Sequence, residues 1–472
     1  MKHIKLIVKI AVILFNIIYV LNINSQENKE TSETNDINNK TQDKIPDGFE
    51  NKPALSEEQL RKKKEDWYII PLPLYSADVD KGFGLGLRLI YYDNGLKSDP
   101  YFKYTAYRHR AYVQYFHTTN GWQYHTINYD SPFFLNSIFS LKTSLVFEKN
   151  IASTYFGVGE ETLDKLKEPY TGDIFESYKN YKKTLREIHP DGKTYSKYNQ
   201  YINQTPAALM NFESDIYKGI LGFYGGIKVS HVKITDYSGT DVDAYDAEGN
   251  EIKSIMGDTQ LKKDCDAGII IGCNGGWNNT IKLGISYDTR DFEPDPNNGV
   301  YIDTVIEKSI NDYNFTRHTS AARIYYSPFN KALDLVIAAR ASLVMNYGNT
   351  PFYEMNKFNF TSGDKKGLGG YATFRGYTQD RFIGKIQTLI NLETRWTMFD
   401  FDIWGQNYAL ILVPFFDTGR VYDNIKSMTF QKWKYGGGMG FRLAWNQALV
   451  SFFDIGWSKE GVSYSMNLDH IF

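Results

Sequence analysis

Cysteine is almost absent from this sequence, and that excludes several kinds of protein. The 472 residues contain two cysteines, Cys265 and Cys273. The chain is therefore no disulfide-rich scaffold, and it has neither a C-x-x-C motif nor a zinc-ligand spacing. Both cysteines lie in a long stretch between candidate strands and would close a small ring in an oxidising compartment. We favour a disulfide over two free thiols, and we expect no metal and no cofactor.

Catalytic motifs and an excess of one charge are also missing. The sequence has no G-x-S-x-G, H-E-x-x-H or phosphate-loop motif, and its eight histidines are scattered. The formal net charge is −2, which leaves no basic stripe for a nucleic-acid partner. We therefore expect a protein that is not an enzyme and that binds no nucleic acid.

Long hydrophobic runs are confined to the N-terminal end. The run from Ile10 to Leu21 follows three lysines and is shorter than the about 20 residues that a membrane helix needs. This pattern is typical of a secretory signal peptide, residues 1–25, with cleavage near Ser25. An uncleaved anchor helix is the alternative. Residues 26–66 contain mostly Glu, Lys, Asn, Asp and Thr and are predicted to be a disordered periplasmic segment.

Aromatic residues, by contrast, are plentiful in a chain that is polar on average. Phe, Trp and Tyr make up 16% of the residues, while the mean hydropathy is −0.44. A barrel that alternates lipid-facing and lumen-facing residues has this composition. From Trp67 onward the alternation predicts an all-β, sixteen-stranded antiparallel transmembrane β-barrel over 67–472. The candidate strands are 67–75, 82–92, 103–117, 121–130, 138–148, 206–217, 220–236, 280–290, 300–309, 314–327, 332–345, 384–398, 408–418, 431–445, 448–457 and 462–472.

The connections have unequal lengths, which predicts an orientation. Residues 149–205, 237–279 and 346–383 follow strands five, seven and eleven, whereas the turns at the other end are short. If both termini are periplasmic, the long connections face outside. Within them, the Lys- and Tyr-rich residues 160–205 are predicted to be a solvated loop.

The third long connection contains the stretch around which the chain is organised. Glycines crowd the first half of residues 367–381 and allow sharp turns. The motif Phe374-Arg375-Gly376-Tyr377 lies within this stretch. We expect this loop to fold into the lumen between strands eleven and twelve. A buried arginine needs a carboxylate partner. Asp417 on strand thirteen is the first candidate, and Glu393 on strand twelve is the second.

Phe374-Arg375-Gly376-Tyr377 resembles the loop signature of the bacterial surface antigen family, the BamA/TamA-type outer-membrane barrels. Two further segments are similar to that family: Phe415 to Gly419, which contains Asp417, and Tyr287 to Asp291. The resemblance implies a location in the outer membrane of a Gram-negative bacterium and a role in protein insertion or translocation. It implies outer-membrane lipid, outer-membrane client proteins and periplasmic or lipoprotein partners as contacts.

Two alternatives stay open at this point. Residues 26–66 are too few to hold even one of the periplasmic polypeptide-binding modules of that family, so a non-catalytic accessory barrel within a larger complex is the second functional hypothesis. The arginine loop is either a brace alone or a brace that also governs gating.

The two ends of the barrel carry the remaining predicted features. Strand sixteen places Tyr464, Met466, Leu468 and Phe472 on one face, and its terminal aromatic residue resembles the recognition signal of outer-membrane proteins. Strand one carries Pro71 and Pro73, which lack backbone donors on the same side of the strand. We therefore predict a weak seam between strands one and sixteen.

Overall fold

The computed structural model describes residues 54–55, 57, 60, 63–78, 81–216, 220–291, 296–329, 333–403, 406–445, 449–468 and 472. The predicted signal peptide and nearly all of the predicted disordered segment lie outside these residues. Within the described part of the chain, none of the helices has the length and apolar character needed to cross a membrane.

The architecture is one large antiparallel sheet in which successive long strands pair with each other, so the all-β prediction is confirmed. Its strands are β1 (Trp67–Asp78), β2 (Gly82–Asp93), β3 (His109–Thr118), β4 (Gln123–Ser131), β5 (Phe139–Thr154), β9 (Gln200–Ile216), β10 (Leu221–Thr235), β13 (Gly275–Trp277), β14 (Thr280–Asp288), β15 (Gly299–Ser309), β16 (Phe315–Tyr326), β17 (Leu335–Gly348), β20 (Ile386–Ile403), β21 (Gln406–Tyr422), β22 (Lys434–Trp445), β23 (Leu449–Ser458) and β24 (Gly461–Leu468).

Most strand bounds agree with the alternation to within a few residues, and the differences at the eighth, third, fifth and sixth strands have identifiable causes. The short β13 and the longer β14 both pair with β10, so they are two pieces of one strand path. The third strand begins at His109 and not at residue 103, because residues 99–104 form turns closed by backbone hydrogen bonds. β5 and β9 pair as far as Thr154 and Gln200, which lengthens both strands into the long connection.

The two faces of the sheet have opposite chemistry. In β16 the buried side chains include Arg317 and Arg323, while Ile324 and Tyr326 are more than half exposed. In β14 Ile281 and Leu283 are exposed, and Lys282 between them is buried. Polar residues inside and apolar residues outside suit a sheet surrounded by lipid, where apolar side chains need no partner and backbone groups pair along the strands. We call these the inner and outer faces.

Residues 160–199 belong to a folded unit and residues 200–205 to β9, so the prediction of a solvated loop over 160–205 was wrong. Tyr181 and Leu185, four apart on one helix, are both buried and pack against Val242 and Met256 of the next long connection. Sequence alternation could not show this packing because it joins two separate insertions. The elements of this outer subdomain are β6 (Leu166–Lys167), β7 (Ile174–Phe175), α1 (Tyr178–Leu185), β8 (Lys193–Thr194), β11 (Asp241–Tyr245), β12 (Glu251–Met256) and α2 (Gln260–Asp266).

The inward loop, residues 349–385, lies against the inner face between β17 and β20. It contains one small hairpin, β18 (Lys357–Phe360) and β19 (Gly363–Lys366). Its buried aromatic rings form a hydrophobic cluster with residues on the inner face of four strands. We call the strands of the large sheet, on this inner face, the wall. The cluster contains Phe358, Phe360, Leu368, Phe374, Tyr377 and Phe382 of the loop, Ala321, Val344, Leu389 and Val421 of the wall, and Leu163 of the outer subdomain.

Candidate functional site: the inward loop and its wall

The tip of the inward loop turns back on itself through glycines. Gly369 has a φ of +118°, and a Cβ there would lie 2.0 Å from the carbonyl oxygen of Thr378. Only glycine tolerates both the backbone angle and the close approach. The Thr373 hydroxyl donates to the carbonyl oxygens of Gly367 and Gly369, at 2.5 and 3.1 Å. These local contacts fix the turn that presents Arg375 to the wall.

Arg375 is bound by three carboxylates from three strands. Its Nε and Nη2 donate to the two oxygens of Asp417, each at 2.8 Å, in a fork geometry. Its Nη1 donates to Glu393 at 2.7 Å and to Asp454 at 3.3 Å. The sequence pointed to Asp417 and Glu393, and the structure brings both to the guanidinium. Sequence reasoning missed Asp454 on β23.

The electrostatics of this cluster keep the arginine charged. Its side chain is 1% exposed, and those of Asp417, Glu393 and Asp454 are 0 to 1% exposed. Burial alone would lower the pKa of Arg375, but Asp417 and the other two carboxylates raise it. The guanidinium also lies over the Phe415 ring, 3.5 Å from its centroid. Three carboxylates and one aromatic ring bind the guanidinium of Arg375, and this binding can hold the loop in place.

Phe374 and Tyr377, the aromatic residues of the same motif, point away from the guanidinium into the hydrophobic cluster. Their ring centroids lie 4.7 Å apart in an edge-to-face arrangement. Tyr377 also contacts Phe382 in the same way. The motif thus supplies one ion-pair anchor and one apolar anchor.

The loop tip also binds the last hairpin of the sheet. The backbone N–H of Gly376 donates to Ser463 Oγ on β24 at 3.0 Å, and Ser458 Oγ donates to the Gly376 carbonyl at 2.7 Å. Arg381 pairs with Glu460 in the turn between β23 and β24 at 2.8 Å. Any outward movement of the loop therefore breaks contacts to β23 and β24.

A second charged cluster, which sequence reasoning missed, lies on other strands. Glu354 of the loop accepts from Arg317 Nη2 at 2.9 Å and from Lys357 Nζ at 2.5 Å, with Lys228 Nζ at 3.4 Å and Asn278 as further donors. Lys228 of β10 and Arg317 of β16 are both buried on the inner face. Nothing in the sequence indicated that they share one loop carboxylate.

A further loop carboxylate makes a similar contact. Asp364 on β19 accepts from Lys282 Nζ on β14 at 2.6 Å. The inward loop is thus held by charge at two separate places on the inner face. Arg375 binds carboxylates of β20, β21 and β23, while Glu354 and Asp364 bind cations of β10, β14 and β16.

The two prolines of β1 direct their missing donors away from β2. Arg108 N–H donates to the Asp93 carbonyl and Thr119 N–H to the Phe83 carbonyl, so odd-numbered residues of β2 direct their backbone groups toward β3. Pro71 and Pro73 stand opposite odd-numbered residues of β2. In an antiparallel ladder such pairs are not hydrogen-bonded to each other, so these positions face the other edge of β1. Among the described residues no strand pairs with that edge.

The terminal strand carries one correction. Tyr464 and Met466 are 69% and 66% exposed on the outer face. Leu468 ends β24, and its side chain lies outside the described part. Phe472 was predicted on the same outer face, and that is wrong. Its carbonyl accepts from Arg395 at 2.8 Å, and its ring lies 4.8 Å from the Arg340 guanidinium on the inner face.

The physical reason is that residue 472 lies beyond the end of β24, so strand alternation no longer sets its direction. Its aromatic ring instead packs against Tyr325, Val336 and Ala338 and stacks on two arginines.

Cys265 and Cys273 are joined by a disulfide. Ile270, which lies in the ring that they close, packs in a buried cluster with Phe352 of the inward loop. Phe352 N–H also donates to the Ile271 carbonyl at 3.1 Å. The disulfide therefore closes a loop that contacts the start of the inward loop. Within the described chain no group of three or more His, Cys, Asp and Glu side chains is arranged to hold a metal ion.

Comparison with known proteins places this geometry in context. The Omp85 superfamily domain model matches residues 119–461, and a domain of unknown function (DUF5982) matches residues 46–108. BamA from Haemophilus ducreyi lacking POTRA domains 1–3 is similar in structure, with 11% identity and a TM-score of 0.48 over 86% of this chain and 70% of that chain. CdiB from Escherichia coli is similar with 9% identity and a TM-score of 0.48, over 86% and 60%. No curated protein sequence matches this chain.

Proposed function

We propose that this chain, which belongs to the Omp85 superfamily as an outer-membrane barrel of the BamA/TamA type, inserts or translocates proteins at the outer membrane. The observation that carries the proposal is the inward loop, whose tip binds both the inner wall and the last hairpin. A loop that fills the lumen must move before a polypeptide can use that space. In this chain its movement is tied to β24, the strand at the seam.

The seam itself supports the same function. Pro71 and Pro73 remove two donors from the edge of β1 that would meet β24. Each missing hydrogen bond lowers the cost of separating the two strands by about 1 kcal/mol. An opening between β1 and β24 would give a strand of a client protein an edge on which to pair. The brace is then a device that also governs gating.

A non-catalytic accessory barrel is the second candidate function. The observation that favours it is the burial of Arg375 with three carboxylates, because separating such ions from each other is costly. On this hypothesis the loop stays in the lumen and the seam stays shut.

A disulfide staple across the seam separates the two candidates. Cysteines at Leu72 and Asn467 should crosslink under oxidation if β1 and β24 adjoin. Under the insertion or translocation function, the stapled cells should lose outer-membrane protein assembly and growth, and both should return on reduction. A matched control pair at Leu72 and Arg88, which face each other across the β1–β2 ladder, should crosslink without effect.

Complete stapling that leaves assembly and growth unchanged would favour the accessory barrel. Absence of the crosslink would show that the two strands do not adjoin at these positions.

A further inference from the structure

Glu354 occupies a site built to hold a carboxylate. The residue lies on the inward loop with 0% exposure, and four donors converge on its carboxylate. Arg317 also donates to the backbone carbonyl of Glu354 at 2.6 Å. Burial alone would raise the pKa of Glu354, but Lys228, Lys357 and Arg317 hold that pKa well below its usual value. The group bound there is thus an ionised carboxylate.

Most of this site belongs to the wall and not to the loop. Lys228 is on β10, Arg317 is on β16, and Asn278 lies between β13 and β14. Only Lys357 would leave with the loop. The wall carboxylate Glu307 on β15 binds Arg317 at 2.5 Å and lies 3.8 Å from Lys228, so the two cations share one carboxylate of the wall. Lys282 adds a third wall cation, now paired with Asp364 of the loop.

The charges of the wall complement those of the loop in two places. On β10, β14 and β16, three cations lie around Glu307 of β15, and the loop supplies Glu354 and Asp364. On β20, β21 and β23, three carboxylates bind Arg375 of the loop. Three wall arginines lie beside these carboxylates: Arg395 binds Glu393 at 3.0 Å, Arg442 binds Asp454, and Arg340 donates to Asn391, which itself donates to Asp417.

If the loop left the wall, the three cations Lys228, Lys282 and Arg317 would lose Glu354 and Asp364 and, among the described residues, would keep only Glu307 as a carboxylate partner. A buried cation without a partner is costly, so vacated cations must bind water, small anions or the acidic groups of whatever enters the lumen. Arg317 Nη2, the amide of Asn278 and the ammonium of Lys228 are three wall donors that converge on the two oxygens of one carboxylate.

We propose that Lys228, Asn278 and Arg317 form a carboxylate-binding site in the lumen, which Glu354 fills while the loop is inside and which acidic side chains of a polypeptide fill once it has left. The site deepens the proposed function, on which it rests, by giving the passing chain a chemical class, an acidic peptide segment. It also gives the loop a second anchor, independent of Arg375.

The test uses the purified full-length barrel in planar lipid bilayers with no client protein present. Glu354→Gln keeps the shape of the side chain and removes its charge. We expect the time spent in conducting states to rise at least about tenfold, the change that corresponds to about 1.4 kcal/mol. Glu161→Gln, the same substitution at an exposed position of the outer subdomain, should behave as the wild type.

Peptide block identifies the ligand class. Deca-glutamate should block the conducting state of Glu354→Gln at a concentration at least about tenfold lower than deca-lysine requires. Adding Lys228→Gln should remove that preference. Equal block by the two peptides, or block by deca-glutamate that survives Lys228→Gln, would overturn the proposal, as would a Glu354→Gln barrel that conducts no more than the wild type.

Folding is checked by the shift in gel mobility between heated and unheated samples. If Glu354→Gln does not fold, the same peptides are applied to the voltage-induced openings of the wild type and of Lys228→Gln, with the same expectations. Because no client is present, a barrel that failed the stapling test could still pass this one, so the two failures are distinguishable.

Discussion

At the scale of single residues, the structure assigns Arg375 more partners than one salt bridge would require. The fork to Asp417 is complete at 2.8 Å on both sides, yet the remaining nitrogen still reaches Glu393 and Asp454. Three strands are thereby connected through one side chain. Removing any single carboxylate leaves two others on Arg375, whereas removing the guanidinium takes the cation from Asp417 and leaves Glu393 and Asp454 with the wall arginines Arg395 and Arg442.

The first prediction concerns that asymmetry. Arg375→Ala should lower the free energy of unfolding by roughly 3–5 kcal/mol, because the buried Asp417 loses its cation and Glu393 and Asp454 each lose one of theirs. Asp417→Asn should cost less, since Glu393 and Asp454 still bind the arginine. Urea titration of the folded barrel, followed by tryptophan fluorescence and gel mobility, measures both. An Asp417→Asn variant that is as unstable as Arg375→Ala would show that Asp417 alone carries the brace.

A charge swap gives a second residue-scale prediction. Arg375→Asp combined with Asp417→Arg should recover only part of the stability lost in Arg375→Asp. The aspartate introduced in the loop would meet the arginine introduced on β21, but it would also lie near Glu393 and Asp454, which repel it. The comparison is the urea midpoint of the double variant against each single one. Full recovery would mean that the other two carboxylates contribute little.

At the scale of elements, the inward loop lies directly on the backbone of β22 and β23. A Cβ at Gly456 would lie 2.6 Å from the Gly376 nitrogen, and one at Gly436 would lie 2.4 Å from the Arg375 carbonyl oxygen. Side chains at these wall positions would hold the loop away from the sheet. Glycines in the wall strands therefore allow the loop tip to reach both Asp417 and Ser463.

The third prediction uses this close approach. Gly456→Ala should displace the loop tip and make the loop more accessible to protease, because a methyl group has no space beside Gly376. Gly225→Ala on β10, where a Cβ would have no atom within 4 Å, is the matched control and should leave protection unchanged. Limited proteolysis of the folded barrel, with cleavage sites identified by mass spectrometry, reads the result. Equal protection in the two variants would contradict the packing argument.

At the scale of the whole molecule, the first two long connections form the outer subdomain, which is a folded cap at one end of the sheet. The outer subdomain contacts the inward loop through Ile270 and Phe352, and it contacts the last hairpin through the Tyr178 N–H, which donates to the Glu460 carbonyl at 2.8 Å. The cap, the loop and the terminal hairpin are therefore one connected structure. The side of the membrane on which the cap lies decides which molecules can reach it.

The fourth prediction tests that orientation. A membrane-impermeant thiol reagent should label Cys265 and Cys273 on intact cells after mild reduction of their disulfide, because the long connections are predicted to face outside. A Cys265→Ser, Cys273→Ser variant is the control for background labelling. Labelling that requires a broken outer membrane would reverse the orientation.

Local periodicity explains how much of this protein could be predicted from its sequence. Side chains alternate between faces with a period of two, so the inner and outer faces of β20, β22 and β24 were readable without a structure. The glycines and Arg375 marked a loop that turns inward. Asp417 and Glu393 were readable as its partners because strands twelve and thirteen adjoin in sequence and their inward faces are fixed by that alternation.

Tertiary structure alone decided the contacts between distant segments. Asp454 lies 79 residues from Arg375, and Lys228 lies 126 residues from Glu354. All four side chains are buried on the inner side of the sheet, and which of them meet depends on strand register, sheet curvature and the path of the loop. The packing of residues 160–199 against the next connection and the inward turn of Phe472 have the same origin: each is fixed by burial against a remote segment, which no local pattern encodes.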